Sequence, residues 1–377
     1  MSTASAEIVS PVPADADGLA NVLSFIEAHE VRHGTSPEPA FFLSGAGEHD
    51  RVELTEQLYE VLKRVAHALS HGQSISILTR DQEISTQQAA EILGLSRPTV
   101  VRLIQDGELH AHIPGAVRRK LRLADVLAYR EDLHTRRNRF ITESSAEFAD
   151  TAPDARAALP PVATRTHRPP APPERLGHVY RAVLDTCALV PSLQRDFLLQ
   201  LATEEAYAPV WGSGILFELD YVLAGLHAKR GISDSASRRQ HLFNQLRRAF
   251  PGSEVHAPKD REYSYGLNDP DDGLVAHAAI IGKADAIVTD DGRAGFSSAH
   301  ALVEADVETI YPHQFAANTV SAHPHAGVRA LREMSNRRTN PPQTPEQILE
   351  LLVTRHEMTE VAEILLPLVS EDARRPE

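Results

Sequence analysis

Cysteine is all but missing from this sequence: Cys187 stands alone in 377 residues. A disulfide framework and every cysteine-rich zinc module are thereby excluded. Aromatic residues are sparse, at 5%. No stretch approaches the roughly 18 consecutive apolar residues of a membrane span. The opening MSTASAEIVSPVPADADG is acidic and broken by proline, unlike a signal peptide. The expectation is a soluble, cytoplasmic protein with no membrane partner. A phosphate-cradling glycine loop and a G-x-S-x-G elbow are also absent, and Gly212-Ser213-Gly214 lacks the strand–helix context that would make Ser213 a nucleophile. His29-Glu30-Val31-Arg32-His33 fits the zinc-protease string H-E-x-x-H, but Gly34 follows at once and no third ligand stands at a family spacing.

What is present is a globular composition, 42% apolar and 24% charged, in a chain long enough for two or three domains. The net charge of −14 argues against a general nucleic-acid coat, yet it is unevenly spread. Residues 1–83 carry 5 basic and 13 acidic side chains (−8), residues 84–140 carry 10 and 6 (+4), and residues 176–320 carry 12 and 19 (−7). A basic island between acidic neighbours suits a nucleic-acid-binding module. Residues 1–83 read as an irregular lead, a helix over 18–30, a clearer helix with Leu54, Leu58, Val61, Leu62, Val65, Ala66 and Leu69 as its stripe, and a short strand over 74–79. Residues 141–176, crowded with proline and alanine, read as a linker. From Val179 short apolar runs alternate with amphipathic helices, the pattern of an α/β domain with a parallel sheet, over 177–320. Residues 321–377 read as a helical extension.

Within 84–140, Ser85 caps a helix TQQAAEILG, Gly94 breaks it, and Ser96 caps a second helix that has Pro98 in its first turn. A basic hairpin follows, turning at Pro114-Gly115 and carrying Arg118, Arg119, Lys120 and Arg122, before a closing helix ADVLAYRED. This run resembles the excisionase-type winged helix-turn-helix of bacterial antitoxins, related to the MerR group, nearly in full over residues 86–129. The resemblance implies binding to operator DNA. Ser96, Arg97, Thr99 and Arg102 are the base-reading or phosphate candidates, and Arg118 and Arg119 are the wing contacts.

The second constellation is acidic. Asp185 ends the apolar run VYRAVL, Glu218 lies in the helical segment WGSGILFELDYVLAGL, Asp272 opens the helix DDGLVAHAAIIG, and Asp290 or Asp291 follows the strand ADAIVT. Strand-end and helix-start acids of a parallel sheet converge on one crevice. Close carboxylates repel one another and call for a hard cation, Mg²⁺ or Mn²⁺. Lys229, Arg230, Arg238, Arg239, Arg247 and Arg248 lie between the second and third acids and could track an RNA backbone.

V-L-D-T at 183–186, Glu218, D-P-D-D-x-x-V-A-x-A-A at 269–279 and A-D-A-I-V-T-D-D at 284–291 resemble the PIN-domain nucleases, and more narrowly the toxin ribonucleases of toxin–antitoxin systems. The resemblance implies metal-assisted hydrolysis of RNA, with Asp185, Glu218, Asp272 and Asp291 as catalytic and metal-binding residues. Two departures stand out: Cys187 where a small polar residue is frequent, and Gly295-Phe296 where an Asp-Phe pair is frequent.

The whole reads as a multidomain chain. A mostly α N-terminal winged helix-turn-helix half is joined to an α/β PIN-like domain with a parallel sheet and C-terminal helices. The expected function is a Mg²⁺- or Mn²⁺-dependent endoribonuclease restrained and autoregulated by its DNA-binding half, with homo-oligomerisation to match two half-sites. The alternatives are a transcription regulator with an inactive PIN-like domain, or a DNA-directed nuclease. Arg136, Arg137, Arg139, Arg156, Arg165 and Arg168 are the candidates for an arginine docked among the acids as a mask.

Overall fold

The computed structural model of the chain describes residues 7–9, 24, 42–44, 51–70, 75–77, 82–112, 119–148, 179–339 and 341–372. They fall into two compact units, Met1–Gln82 and Glu83–Glu377.

In the first unit β1 (Glu7–Val9) pairs antiparallel with Ile75–Ile77, and β2 (Phe42–Ser44) with β3 (Arg51–Glu53). The clearer of the two expected helices is α1 (Glu56–Ser70), and Ile75–Ile77 is β4. Leu54, Tyr59 and Ala66 are buried, whereas Leu58, Val61 and Leu62 of the expected stripe are exposed. The helix expected over 18–30 (Ser24 apart) and the H-E-x-x-H string at 29–33 lie outside the described residues.

The second unit opens with β5 (Glu83–Ser85), α2 (Thr86–Leu93) and α3 (Arg97–Gln105). Ser85 and Gln88 close a reciprocal capping box, so two otherwise orphaned amide donors at the start of α2 are satisfied locally. Gly94 ends that helix at φ +62°, a left-handed conformation glycine adopts without strain. Ser96 then caps α3 by accepting from the Thr99 amide. Ala89, Ala90, Leu93, Val100 and Leu103 bury the inner face of the helix pair. β6 (Lys120–Arg122) pairs antiparallel with β5, Ile84 opposite Leu121, and His112 bridges to Lys120. The expected hairpin turn at Pro114-Gly115, together with Arg118, lies outside the described residues.

The closing helix is far longer than ADVLAYRED. It forms α4 (Leu123–Glu147) and runs through residues 141–147, which the sequence assigns to a linker. The reason is packing: Leu133, Phe140, Ile141, Ser144 and Phe148 recur at helical spacing and are all buried. Phe140, Ile141 and Phe148 belong to the same hydrophobic core as the sheet that follows. The first half of the unit therefore enters the core of the second.

That sheet has five strands, β7 (Arg181–Leu184), β8 (Ala208–Gly212), β9 (Glu254–Val255), β10 (Ala286–Val288) and β11 (Glu308–Ile310), in the order β11-β10-β7-β8-β9. Every pairing is parallel, with Leu184 opposite Val288 and Val183 opposite Val210. The three central strands, β10, β7 and β8, are almost wholly apolar because helices cover both faces of a parallel sheet. The helices are α5 (Thr186–Leu189), α6 (Ser192–Thr203), α7 (Ser213–Lys229), α8 (Ser235–Ala249), α9 (Gly273–Gly282) and α10 (His300–Glu304). α6 is buried along its length from Leu193 to Thr203. The expected C-terminal helices are present as α11 (Pro312–Ala322), α12 (Pro324–Arg337), α13 (Pro345–His356) and α14 (Thr359–Asp372), and α11, α12 and α13 pack on α6. Gly212-Ser213-Gly214 does stand at a strand–helix junction, contrary to expectation, and Ser213 Oγ accepts from the Ala257 amide at 3.1 Å. Among the described residues no helix is long and apolar enough to cross a membrane.

Candidate active site

At the carboxyl edge of this sheet Asp185 follows directly on β7, with its amide bonded to the Val288 carbonyl of β10 at 3.1 Å. It is 8% exposed, and both of its carboxylate oxygens accept hydrogen bonds. Oδ1 accepts from the Thr186 amide at 2.6 Å, and Oδ2 accepts from the Thr289 hydroxyl at 2.7 Å and the Cys187 thiol at 3.2 Å. Burial pushes the Asp185 carboxyl above its ordinary range, and those three donors oppose the rise. Cys187 thus occupies a hydrogen-bonding position beside the first acid. Burial, followed by the charge of Asp185, raises its thiol well above the usual value.

Glu218 reaches the same edge from α7. Its Oε2 accepts from the Thr186 hydroxyl at 2.7 Å and its Oε1 from Lys259 Nζ at 2.6 Å. Asp272 comes in at the end of a short 3₁₀ turn, Pro270–Asp272, capped by Asp269. Its Oδ2 is buried without a hydrogen-bond partner. Burial, and then the charges of Asp291, Asp185, Asp269 and Glu218, push this carboxyl up to about 7. Asp291 follows β10; its amide donates to Thr289 Oγ1 at 3.0 Å, and its Oδ1 accepts from the Arg293 and Ala294 amides. Of the two candidates for the fourth acid, Asp291 is among the charges acting on Asp272, whereas the Asp290 amide donates to Cys187 Sγ at 3.2 Å. The charges of Asp185, Glu218 and Asp291 thus all bear on the Asp272 carboxyl. Among the described residues no three His, Cys, Asp or Glu side chains are gathered closely enough to enclose a metal ion as they stand.

Sequence reasoning gave no role to four neighbours: Thr186, Thr289 and Asp269, which stand in the quoted motifs, and Lys259, which stands in none. The threonines flank the strand-end acids, a position that could have marked them. Lys259 lies in the long irregular segment after β9 and gave no periodic signal, whereas Asp269 opens the D-P-D-D string. Lys259, held protonated first by its bond to Glu218, sets a cation against the acids. Of the expected masking arginines, Arg136 and Arg137 are engaged elsewhere. Arg136 pairs with Glu108 and Asp132, and Arg137 donates to the Ala249 carbonyl at 3.1 Å and lies over the Phe250 ring. Arg156, Arg165 and Arg168 lie outside the described residues. Most of the arginines expected to track RNA are also spoken for. Arg238 pairs with Glu147, Arg230 donates to the Glu147 carbonyl, Arg239 pairs with Asp220 and Arg247 with Glu254.

On the helix-turn-helix, Ser96, Arg97 and Arg102 are exposed along α3, and Arg119 is exposed before β6. Thr99 departs from its expected role. It is 7% exposed and packs on Gly252, where an added Cβ would lie 2.4 Å from Thr99 Oγ1. The turn after α8 therefore occupies the flank of α3 that Thr99 presents. Arg102 instead opens onto a cleft of about 500 Å³ that Arg247, Arg248 and His256 also line.

Comparison with known proteins follows the same division. Residues 83–134 match the helix-turn-helix domain, 181–293 the PIN domain and 312–367 the VapC50 C-terminal domain. The chain is 47% identical over 88 residues to uncharacterized protein Rv2310 of Mycobacterium tuberculosis and to uncharacterized protein Mb2337 of Mycobacterium bovis, 23% of this chain and 76% of each relative. It is 37% identical over 94 residues to a Mycobacterium tuberculosis protein provisionally named antitoxin VapB50, 25% of this chain and 72% of that one. No solved structure matches. The chain belongs to the family that pairs a PIN-domain toxin with a helix-turn-helix antitoxin, here with both halves on one polypeptide.

Proposed function

We propose that the crevice of Asp185, Glu218, Asp272 and Asp291 is the active site of a Mg²⁺- or Mn²⁺-dependent endoribonuclease, and that the winged module binds operator DNA. The observation that carries this reading is the Asp272 carboxylate: a buried oxygen without a partner, crowded by four further acids, is a ligand atom suited to a cation. The donor set is all oxygen, which suits a hard divalent ion. Asp185 and Asp272 would be its principal ligands, with Glu218 and Asp291 as further ligands or as groups that orient water. Such an ion would supply charge neutralisation and Lewis acidity toward a phosphodiester. The chain's own residues do the positioning. Thr289 and the Thr186 amide fix the Asp185 carboxylate, and Thr186 and Lys259 fix Glu218.

Full-length protein incubated with total RNA should cleave it in Mg²⁺ or Mn²⁺, lose activity in chelator, and lose it when Asp272 is replaced by Asn. Undiminished cleavage by Asp272→Asn refutes the site. On the DNA side, Arg102→Ala should weaken a specific duplex by roughly 1–3 kcal/mol and relax base preference. Arg119→Ala should weaken all duplexes alike and flatten the salt dependence.

A further inference from the structure

The segment leaving β9 folds back over α9 and carries the densest group of aromatic rings near the acids. Tyr263 lies on Gly273, the residue after Asp272, so closely that an added Cβ there would come within 2.8 Å of Tyr263 Cβ. The Tyr263 ring stacks on the His277 imidazole at 4.5 Å, and Tyr265 lies nearly parallel to Tyr263 at 6.5 Å and 13°. A 2.7 Å hydrogen bond between the Tyr265 hydroxyl and His277 Nδ1 fixes the third ring. Burial, Arg261 and His256 hold His277 below the ordinary imidazole range, so the stack is neutral at neutral pH. All three residues are half-buried, and Tyr263 and Tyr265 pack in part against the core. Arg261 is exposed beside them, and Lys259 stands four residues before Tyr263 at the acid crevice.

Flat rings flanked by cations are what an unpaired nucleobase and its phosphate bind, because every base offers a π-face while a paired base in a duplex does not. We propose that Tyr263, Tyr265 and His277 form a stacking platform for an unpaired base of the RNA strand, next to the phosphodiester addressed by Asp272. The platform rests on the ribonuclease reading above and names the feature of the substrate it selects: a nucleotide free of pairing beside the cut.

The test uses the full chain carrying Asp272→Asn, so that bound RNA is not consumed. Fluorescence anisotropy would be measured with a labelled single-stranded oligoribonucleotide and with the same strand annealed to its complement. In that background Tyr265→Leu, which keeps apolar bulk without a ring, and Tyr265→Ala should weaken single-strand binding roughly 5- to 100-fold. Tyr265→Phe, which keeps the ring, should stay within about twofold, and duplex binding should not change in any of the three. Melting curves identify variants that have lost their fold, and the Leu and Phe forms retain the packing of the loop. Single-strand affinity unchanged in folded Tyr265→Leu, or reduced as much in Tyr265→Phe, overturns the platform and leaves the rings as a loop staple. A parent protein that binds neither RNA overturns the platform and the ribonuclease reading together, and so the two failures are told apart.

Discussion

Replacing Asp272 by asparagine should make the folded protein more stable, by an amount that grows as pH rises from about 4 to about 7. The Asp272 carboxyl is pushed from its ordinary 3.8 to about 7 in the folded chain. Between those values the folded state holds a proton that the unfolded chain has released. Stability therefore falls as pH rises through the window, and the full cost is present above about pH 7. One pK unit is about 1.4 kcal/mol, which sets a ceiling of about 4 kcal/mol for a shift of this size. Asp272 is half-buried, so solvent screening brings the expected figure down to about 1–2 kcal/mol. An asparagine cannot ionise and escapes this cost. Urea unfolding in chelator at pH 4, 6 and 8 should show the two proteins equal at pH 4, with Asp272→Asn pulling ahead by pH 8. Mg²⁺ added at pH 8 should then raise the midpoint of the wild-type chain more than that of the variant. A difference independent of pH, or a variant less stable at pH 8, refutes the crowding argument.

Gly252→Ala should cost about 1–3 kcal/mol, since it places a Cβ against Thr99 at φ +84°, and Thr99→Ala in the same chain should recover part of the loss in a thermal melt. A fragment starting at residue 179 should fail to fold by circular dichroism, whereas one starting at residue 123 should fold. The shorter piece loses Phe140, Ile141 and Phe148, about 5–9 kcal/mol of apolar burial, against a typical total stability of about 5–15 kcal/mol. Cys187 should react with iodoacetamide at pH 8.5 far more slowly than a free thiol, because burial and Asp185 hold it protonated; a rate like that of a free thiol would mean that the acid crevice opens readily.

Asp185 and Asp291 stand out in the sequence because each follows an apolar strand of a parallel sheet, whereas Glu218 lies within α7 and Asp272 just ahead of α9, where an acid is an ordinary helix residue. The supporting residues are less legible still. Thr186 and Thr289 look like ordinary strand-end residues until the pairing of β7 with β10 brings their hydroxyls to the carboxylates. Lys259 and the Tyr263–Tyr265–His277 stack depend on how a long irregular segment closes, and no periodicity reports that. The winged helix-turn-helix announced itself through Ser85, Gly94, Ser96 and Pro98, because caps and breakers act locally. The far end of α4 was hidden for the opposite reason. Its apolar residues are spaced among arginines, glutamates and serines, and only a partner surface makes a core of them. The same dependence on tertiary partners moved Thr99 from an expected nucleic-acid contact to a buried one.

α4 also redefines what joins the two halves. Beyond Phe148 and the core it fills, Glu147 receives His227 at 2.7 Å and Arg238 at 2.5 Å, Ser145 donates to Asp196, and Arg337 donates to Asn138 at 3.0 Å. None of these bonds needs a covalent connection between residues 148 and 179. Severing the chain there would give two polypeptides still clasped through one helix, a heterodimer with the architecture of the uncut protein. The peptide connection sets the stoichiometry at one to one and keeps the partners at high local concentration, while the hold itself is a docking interface. Fused and two-gene forms of such a pair can in this way be the same object, differing by one strand of backbone.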